Sequence, residues 1–270
     1  MAGIRWIVSW CILAFAFALS ACAHKPYVAE LPSEYRLVRE QLEIHTTFPL
    51  ASRHRLVTEL VQRREDVHEL LGLPKSDEPI HVFLFDSTDE FEAFRDQRFG
   101  GFPQRRAFFV ETDTDLAVFA SWGDHVAEDL RHEVAHGYLH AVVPGLPLWL
   151  DEGLAEYFEV PRTEDGLNRP HVALLLEAMQ SGSWKPDLAR LERLQSPGQM
   201  TQTDYAESWA WVHWLLESSP EHRRLLRNHL ARLRVTGTAP PLSTVVSRAV
   251  PGADELLVKW LRRLTKQVSP

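Results

Sequence analysis

The sequence predicts an α+β fold, with a small N-terminal sheet packed on one helix and a mostly helical C-terminal part after it. Short apolar runs of strand length cluster between residues 79 and 121. From Asp124 onward the apolar spacing is helical, broken by Pro144, Pro147, Pro161, Pro186, Pro197 and Pro220. An apolar fraction of 45% and a charged fraction of 24% over 270 residues match a globular chain with one substantial core. A net charge of -8 argues against nucleic acid as a partner. The two cysteines, Cys11 and Cys22, lie too close to the N-terminus to cross-link that core.

Taken in order, residues 1–21 read as a secretory leader, with Arg5 ahead of an apolar run from Trp6 to Ala21. That run is shorter than the roughly 20 residues that span a bilayer comfortably. It ends in Leu19-Ser20-Ala21-Cys22, which resembles a bacterial lipobox. The resemblance implies lipidation at Cys22 and a membrane anchor, since each buried methylene contributes about 0.8 kcal/mol. Ala23 stands where an aspartate would resemble an inner-membrane retention signal, so the expected location is the outer membrane, facing the periplasm. Residues 22–52, with Pro26, Pro32 and Pro49, read as a tether and lead-in segment ahead of a domain spanning 53–270.

Within that domain, Leu56, Leu60, Val61, Val67, Leu70 and Leu71 predict a helix over 53–72, stopped by Gly72 and Pro74. Residues 79–86 read as a buried strand, and Ser87 with Glu90 reads as a capping box opening a short helix. Strands are expected over 106–111 and 115–121, joined by the turn chemistry of Thr112-Asp113-Thr114-Asp115. An amphipathic helix from Asp124, its expected cap, to Val142 then carries His132-Glu133-Val134-Ala135-His136. The sheet and this helix occupy 79–143, and the helical part 147–270.

Two histidines four apart share a helix face, so both imidazoles can reach one Zn2+ at about 2.0–2.1 Å. Glu133, beside the first of them, is placed to take a proton from an attacking water as general base. His140 lies one turn further on and reads as a favourable cation near the helix C-terminus. His125 and His213 belong to no pattern, and Trp209, Trp211 and Trp214 read as packing residues.

Further on comes Pro147-Leu148-Trp149-Leu150-Asp151-Glu152-Gly153-Leu154-Ala155-Glu156-Tyr157-Phe158-Glu159. With the histidine motif, this stretch resembles the gluzincins, zinc metallopeptidases such as thermolysin and the aminopeptidase N group, and most closely the bacterial peptidase-MA-like proteins. The resemblance implies a thermolysin-like fold, one Zn2+ per chain and Glu152 as the third ligand. It also implies that Glu156 or Glu159 hydrogen-bonds a ligand histidine. Glu156 shares a helix face with Glu152, whereas Glu159 matches the aminopeptidase-like pattern, and both are carried forward. Glu152 follows His136 by sixteen positions, fewer than in the aminopeptidase N group, so the intervening loop must be tight.

Downstream, the helix opening at Thr203-Asp204-Tyr205 resembles the segment where related peptidases place an oxyanion-stabilising tyrosine, which makes Tyr205 the matching residue. The resemblance implies a peptide or protein substrate, and strand 115–121 is expected to form the cleft edge that pairs with it. The alternatives are a non-catalytic envelope lipoprotein of the same fold acting as a binding or assembly module, and a zinc hydrolase of a non-peptide bond.

Overall fold

The structure is a computed structural model that describes residues 30–100 and 104–268. The expected leader and Cys22 lie outside the described residues. The chain forms the expected α+β arrangement of an N-terminal sheet and a helical remainder. It begins earlier than expected, because residues of the supposed tether form two strands, β1 (Tyr35–Arg39) and β2 (Leu42–Thr46). In β2 the residues Leu42, Ile44 and Thr46 are buried and alternate with Glu43 and His45, a period of two masked by the neighbouring polar residues.

Next come α1 (Arg55–Leu71), β3 (Ile80–Phe85), α2 (Thr88–Arg98), β4 (Ala107–Glu111) and β5 (Leu116–Ser121). Gly72 closes α1 at a φ of 67°, a left-handed cap that glycine adopts without steric cost. The Ser87 side chain accepts from the Glu90 backbone N–H at 3.2 Å and caps α2. Strand order is β1-β2-β3-β5-β4, with β2, β3 and β5 parallel and the outer strands antiparallel. This corrects the expected cleft edge: β5, within 115–121, pairs on both sides, and β4 is the edge strand on that side of the sheet.

The helices that follow are α3 (Val126–His140), α4 (Leu148–Glu159), α5 (Arg169–Gln180), α6 (Leu188–Leu191) and α7 (Gln202–Glu217). Then α8 (Pro220–Thr236), α9 (Leu242–Ala249) and α10 (Ala253–Val268) complete the chain. Asp124 does not cap α3. His125 occupies the N-cap and makes no side-chain capping bond, while Glu128 and Asp129 place negative charge in the first turn.

Ile80, Val82 and Leu84 point into the main core with Leu56, Leu60 and Val134, whereas Phe83 and Phe119 face the other way. A second, smaller core of Phe85, Phe91, Phe94, Phe108 and Phe119 forms where α2 meets the sheet. α3 lies directly on β3: a Cβ added at Gly137 would sit 2.9 Å from the Ile80 side chain. On its other flank α3 meets α4, and α4 meets α7, so the two motifs and Tyr205 lie on three successively packed helices. Trp209, Trp211 and Trp214 are all buried in α7, as expected of packing residues.

Candidate metal centre

His132 and His136 project from one face of α3, and their Nε2 atoms lie 3.3 Å apart. Glu152, in the second turn of α4, brings Oε2 to 3.6 Å from His132 Nε2 and 3.9 Å from His136 Nε2. The loop that makes this possible is tight: α3 ends at His140, α4 starts at Leu148, and Gly145 turns the chain at a φ of 67°. Two ligands about 2.0–2.1 Å from a tetrahedral ion lie roughly 3.3–3.4 Å apart, so the three atoms are spaced for one such ion.

The protons on these groups point the same way. His132 Nδ1 faces Glu159 Oε2 at 3.1 Å, and His136 Nδ1 faces Asp151 Oδ1 at 2.8 Å. A neutral imidazole that donates from Nδ1 keeps a lone pair on Nε2. Glu152 Oε2 is buried and has no hydrogen-bond partner. With the proton of each imidazole on Nδ1, three lone pairs converge without a donor between them, and a cation is the group such a set fits. Burial lowers the His132 pKa, but Glu152 and Glu159 raise it further, to well above the usual imidazole value. That is the sign of a strongly negative local field.

The carboxylates divide their work differently from either expected assignment alone. Glu159 holds His132, and its other oxygen accepts from Asn168 Nδ2 at 2.8 Å. Glu156 does not hold a ligand histidine: its Oε2 meets His171 Nε2 at 2.8 Å, because its position in α4 turns it toward α5. The partner of His136 is Asp151, which the sequence reading passed over although it immediately precedes Glu152. Asp151 also reaches His140 Nε2 at 2.9 Å, and His140 Nδ1 meets Glu111 Oε2 on β4 at 2.7 Å. Burial lowers the His140 pKa, yet the bonds to Asp151 and Glu111 raise it to about 9. His140 is therefore the cation expected at the end of α3, but it is spent on two named carboxylates.

Glu133 is buried beside the two histidines, and burial raises its pKa against their opposing pull. It lines two clefts that flank the centre. One, of about 350 Å³, adds Phe108, Phe109, Leu148 and Glu152, and the other, of about 290 Å³, adds Arg106, Asp129, His132 and Glu159. Arg105 lines both clefts, and its Nη2 donates to the Tyr205 hydroxyl at 3.0 Å. This ties Tyr205 to a residue that lines both clefts, and adds a cation that no motif announced. Burial and then Glu152 raise the Tyr205 pKa, so its phenol stays protonated and able to donate.

Residues 126–242 match a family described as a protein of unknown function, DUF1570. The match covers less than half of the 270 residues, from the start of α3 into α9. It spans His132, Glu133, His136, Glu152 and Tyr205, and leaves out the sheet and Arg105. No curated protein matches the chain.

Proposed function

We propose that this chain is a zinc-dependent metallopeptidase of gluzincin type, anchored to the bacterial cell envelope by lipid at Cys22 and acting on peptide or protein substrates. The observation that carries this reading is the convergence of His132 Nε2, His136 Nε2 and Glu152 Oε2 at 3.3–3.9 Å, with a carboxylate behind each histidine. Zn2+ held by these three residues would supply Lewis acidity and lower the pKa of a water toward about 7.

The chain's own groups account for the remaining steps. Glu133, whose proton affinity burial has raised, takes the proton of the attacking water and passes it to the leaving amine. Tyr205 accepts from Arg105 and so keeps its own O–H free to donate to the developing oxyanion. Arg105 retains further N–H donors for the same charge or for a substrate carbonyl. The clefts on either side of Glu133 leave room for substrate on both sides of the reacting bond, and edge strand β4 offers backbone groups to an extended peptide.

The test uses the full chain, purified in detergent and loaded with Zn2+, against a mixed peptide library. Wild type is expected to cleave. Glu133→Gln is expected to keep zinc and lose about 10²–10⁴-fold in rate. Failure of the wild type to bind zinc, or full cleavage by Glu133→Gln, overturns the reading. Zinc binding without cleavage points to a binding or assembly module instead.

A further inference from the structure

The face of the sheet turned away from α3 carries a second set of metal-ligating side chains. Ile80, Val82 and Leu84 of β3 face the main core, which leaves His81 and Phe83 on the opposite side. In the parallel register Glu43 of β2 pairs with His81, and His45 pairs with Phe83. Alternation puts Glu43 and His45 on the same side, so Glu43 neighbours one histidine along its strand and another across to the next.

His45 Nε2 lies 3.2 Å from Glu43 Oε1, and His81 Nδ1 lies 3.9 Å from the same oxygen. One ligand atom from each of the three residues falls within a 4.8 Å group. Apart from that approach to Glu43, His45 Nε2 is buried and makes no hydrogen bond. Phe83 stacks on the His45 ring at 4.9 Å and 18°, which limits how that nitrogen can turn.

The carboxylate is held as well. Arg36 of β1 donates to Glu43 Oε1 from Nε at 2.6 Å and to Oε2 from Nη2 at 2.7 Å. Each carboxylate oxygen has two acceptor sites, so Oε1 can accept from Arg36 and still present a lone pair to the histidines. Hydrogen-bonded carboxylates of this kind are common behind metal ions. The three side chains are only 17%, 17% and 28% exposed, so the site is partly shielded yet open on one side.

We propose that Glu43, His45 and His81 form a second site for a divalent transition ion of the Zn2+ or Cu2+ class, on the opposite face of the sheet from His132 and His136. Two imidazoles and one carboxylate suit such ions better than Mg2+ or Ca2+, which favour all-oxygen sets. The Arg36 charge beside it makes this the weaker of the two sites. The ion would pin β2 to β3, with β1 joined to it only through the Arg36 bonds to Glu43.

The test is equilibrium dialysis of the metal-stripped full chain in detergent against Zn2+ alone. Wild type is expected to bind about two ions, and both His132→Ala/His136→Ala and His45→Gln/His81→Gln about one each. Circular dichroism checks that each variant is folded. In the His132→Ala/His136→Ala chain, one equivalent of Cu2+ is expected to show nitrogen hyperfine coupling from imidazole. Adding His45→Gln/His81→Gln removes that coupling. Wild-type zinc stoichiometry in His45→Gln/His81→Gln, or a copper spectrum unmoved by those substitutions, overturns the proposal. Because the copper signal is read in a chain without His132 and His136, this outcome is independent of the peptidase reading.

Discussion

Asp151 touches two histidines at once, and its charge matters to both. Burial pushes its pKa up, but His136 and His140 together hold it far below the ordinary carboxylate range. The ionised form therefore persists and keeps the proton of His136 on Nδ1, with the Nε2 lone pair free. Asparagine is nearly the same size and can still accept from Nδ1, but it removes the charge that makes the imidazole a better donor to metal. Asp151→Asn is accordingly expected to weaken zinc binding by about 10–100-fold while leaving the fold intact. Competition with a chromophoric chelator measures this. Unchanged affinity would mean that Asp151 serves only His140.

At the scale of elements, the candidate centre depends on how closely α4 and α7 approach. Gly153 immediately follows Glu152, and a Cβ there would lie 2.6 Å from the Ser208 carbonyl oxygen and 3.0 Å from Val212. The obstacle at the first contact is helix backbone, which cannot rotate away as a side chain can. Gly153→Ala must therefore displace α7, and Tyr205 lies less than one turn before Ser208 on that helix. The substitution is expected to destabilise the fold by about 1–3 kcal/mol, read by urea unfolding. It should also lower peptide cleavage more than the loss of folded protein accounts for. Activity that tracks the folded fraction alone would argue against Tyr205 acting at the centre.

Across the whole molecule, the last helix is tied back to the centre's support through His213. Its Nδ1 accepts from Trp260 Nε1 at 3.0 Å, joining α7 to α10. Burial lowers the His213 pKa to about 4. The unfolded chain takes up this proton near pH 6.5, whereas the folded chain resists until about pH 4. Unfolding is thus favoured progressively as pH falls through that window, by up to about 3 kcal/mol. His213→Leu is expected to lose stability at pH 7, where Trp260 is left without its acceptor, and to lose less than wild type on going to pH 4.5. Urea titrations of the metal-free protein at both pH values measure the difference. Parallel pH profiles would mean that His213 does not set the acid limit.

How much could be read in advance varied with how local the cause was. The α1 stop at Gly72, strands β3, β4 and β5, and the helix bearing His132 and His136 follow from periodicity and from residues a few positions apart. The strands β1 and β2 were missed because each has five residues and only β2 buries one full side, a pattern too short to stand out. The approach of Glu152 to His132 and His136 was legible because its motif is contiguous. The roles of Glu156 and Glu159 were not, since a few tens of degrees around α4 decide whether a carboxylate meets α3 or α5.

Short-range spacing was thus enough for the candidate ligand types, the helices that carry them and the class of fold. Long-range packing was needed to put Asp151 and Glu159 behind His136 and His132, to bring Arg105 to Tyr205 from just before β4, and to make β4 rather than β5 the edge on that side of the sheet. Those side-chain pairings join residues from 15 to 100 positions apart. Such contacts are set by how whole elements pack, and no local propensity encodes them.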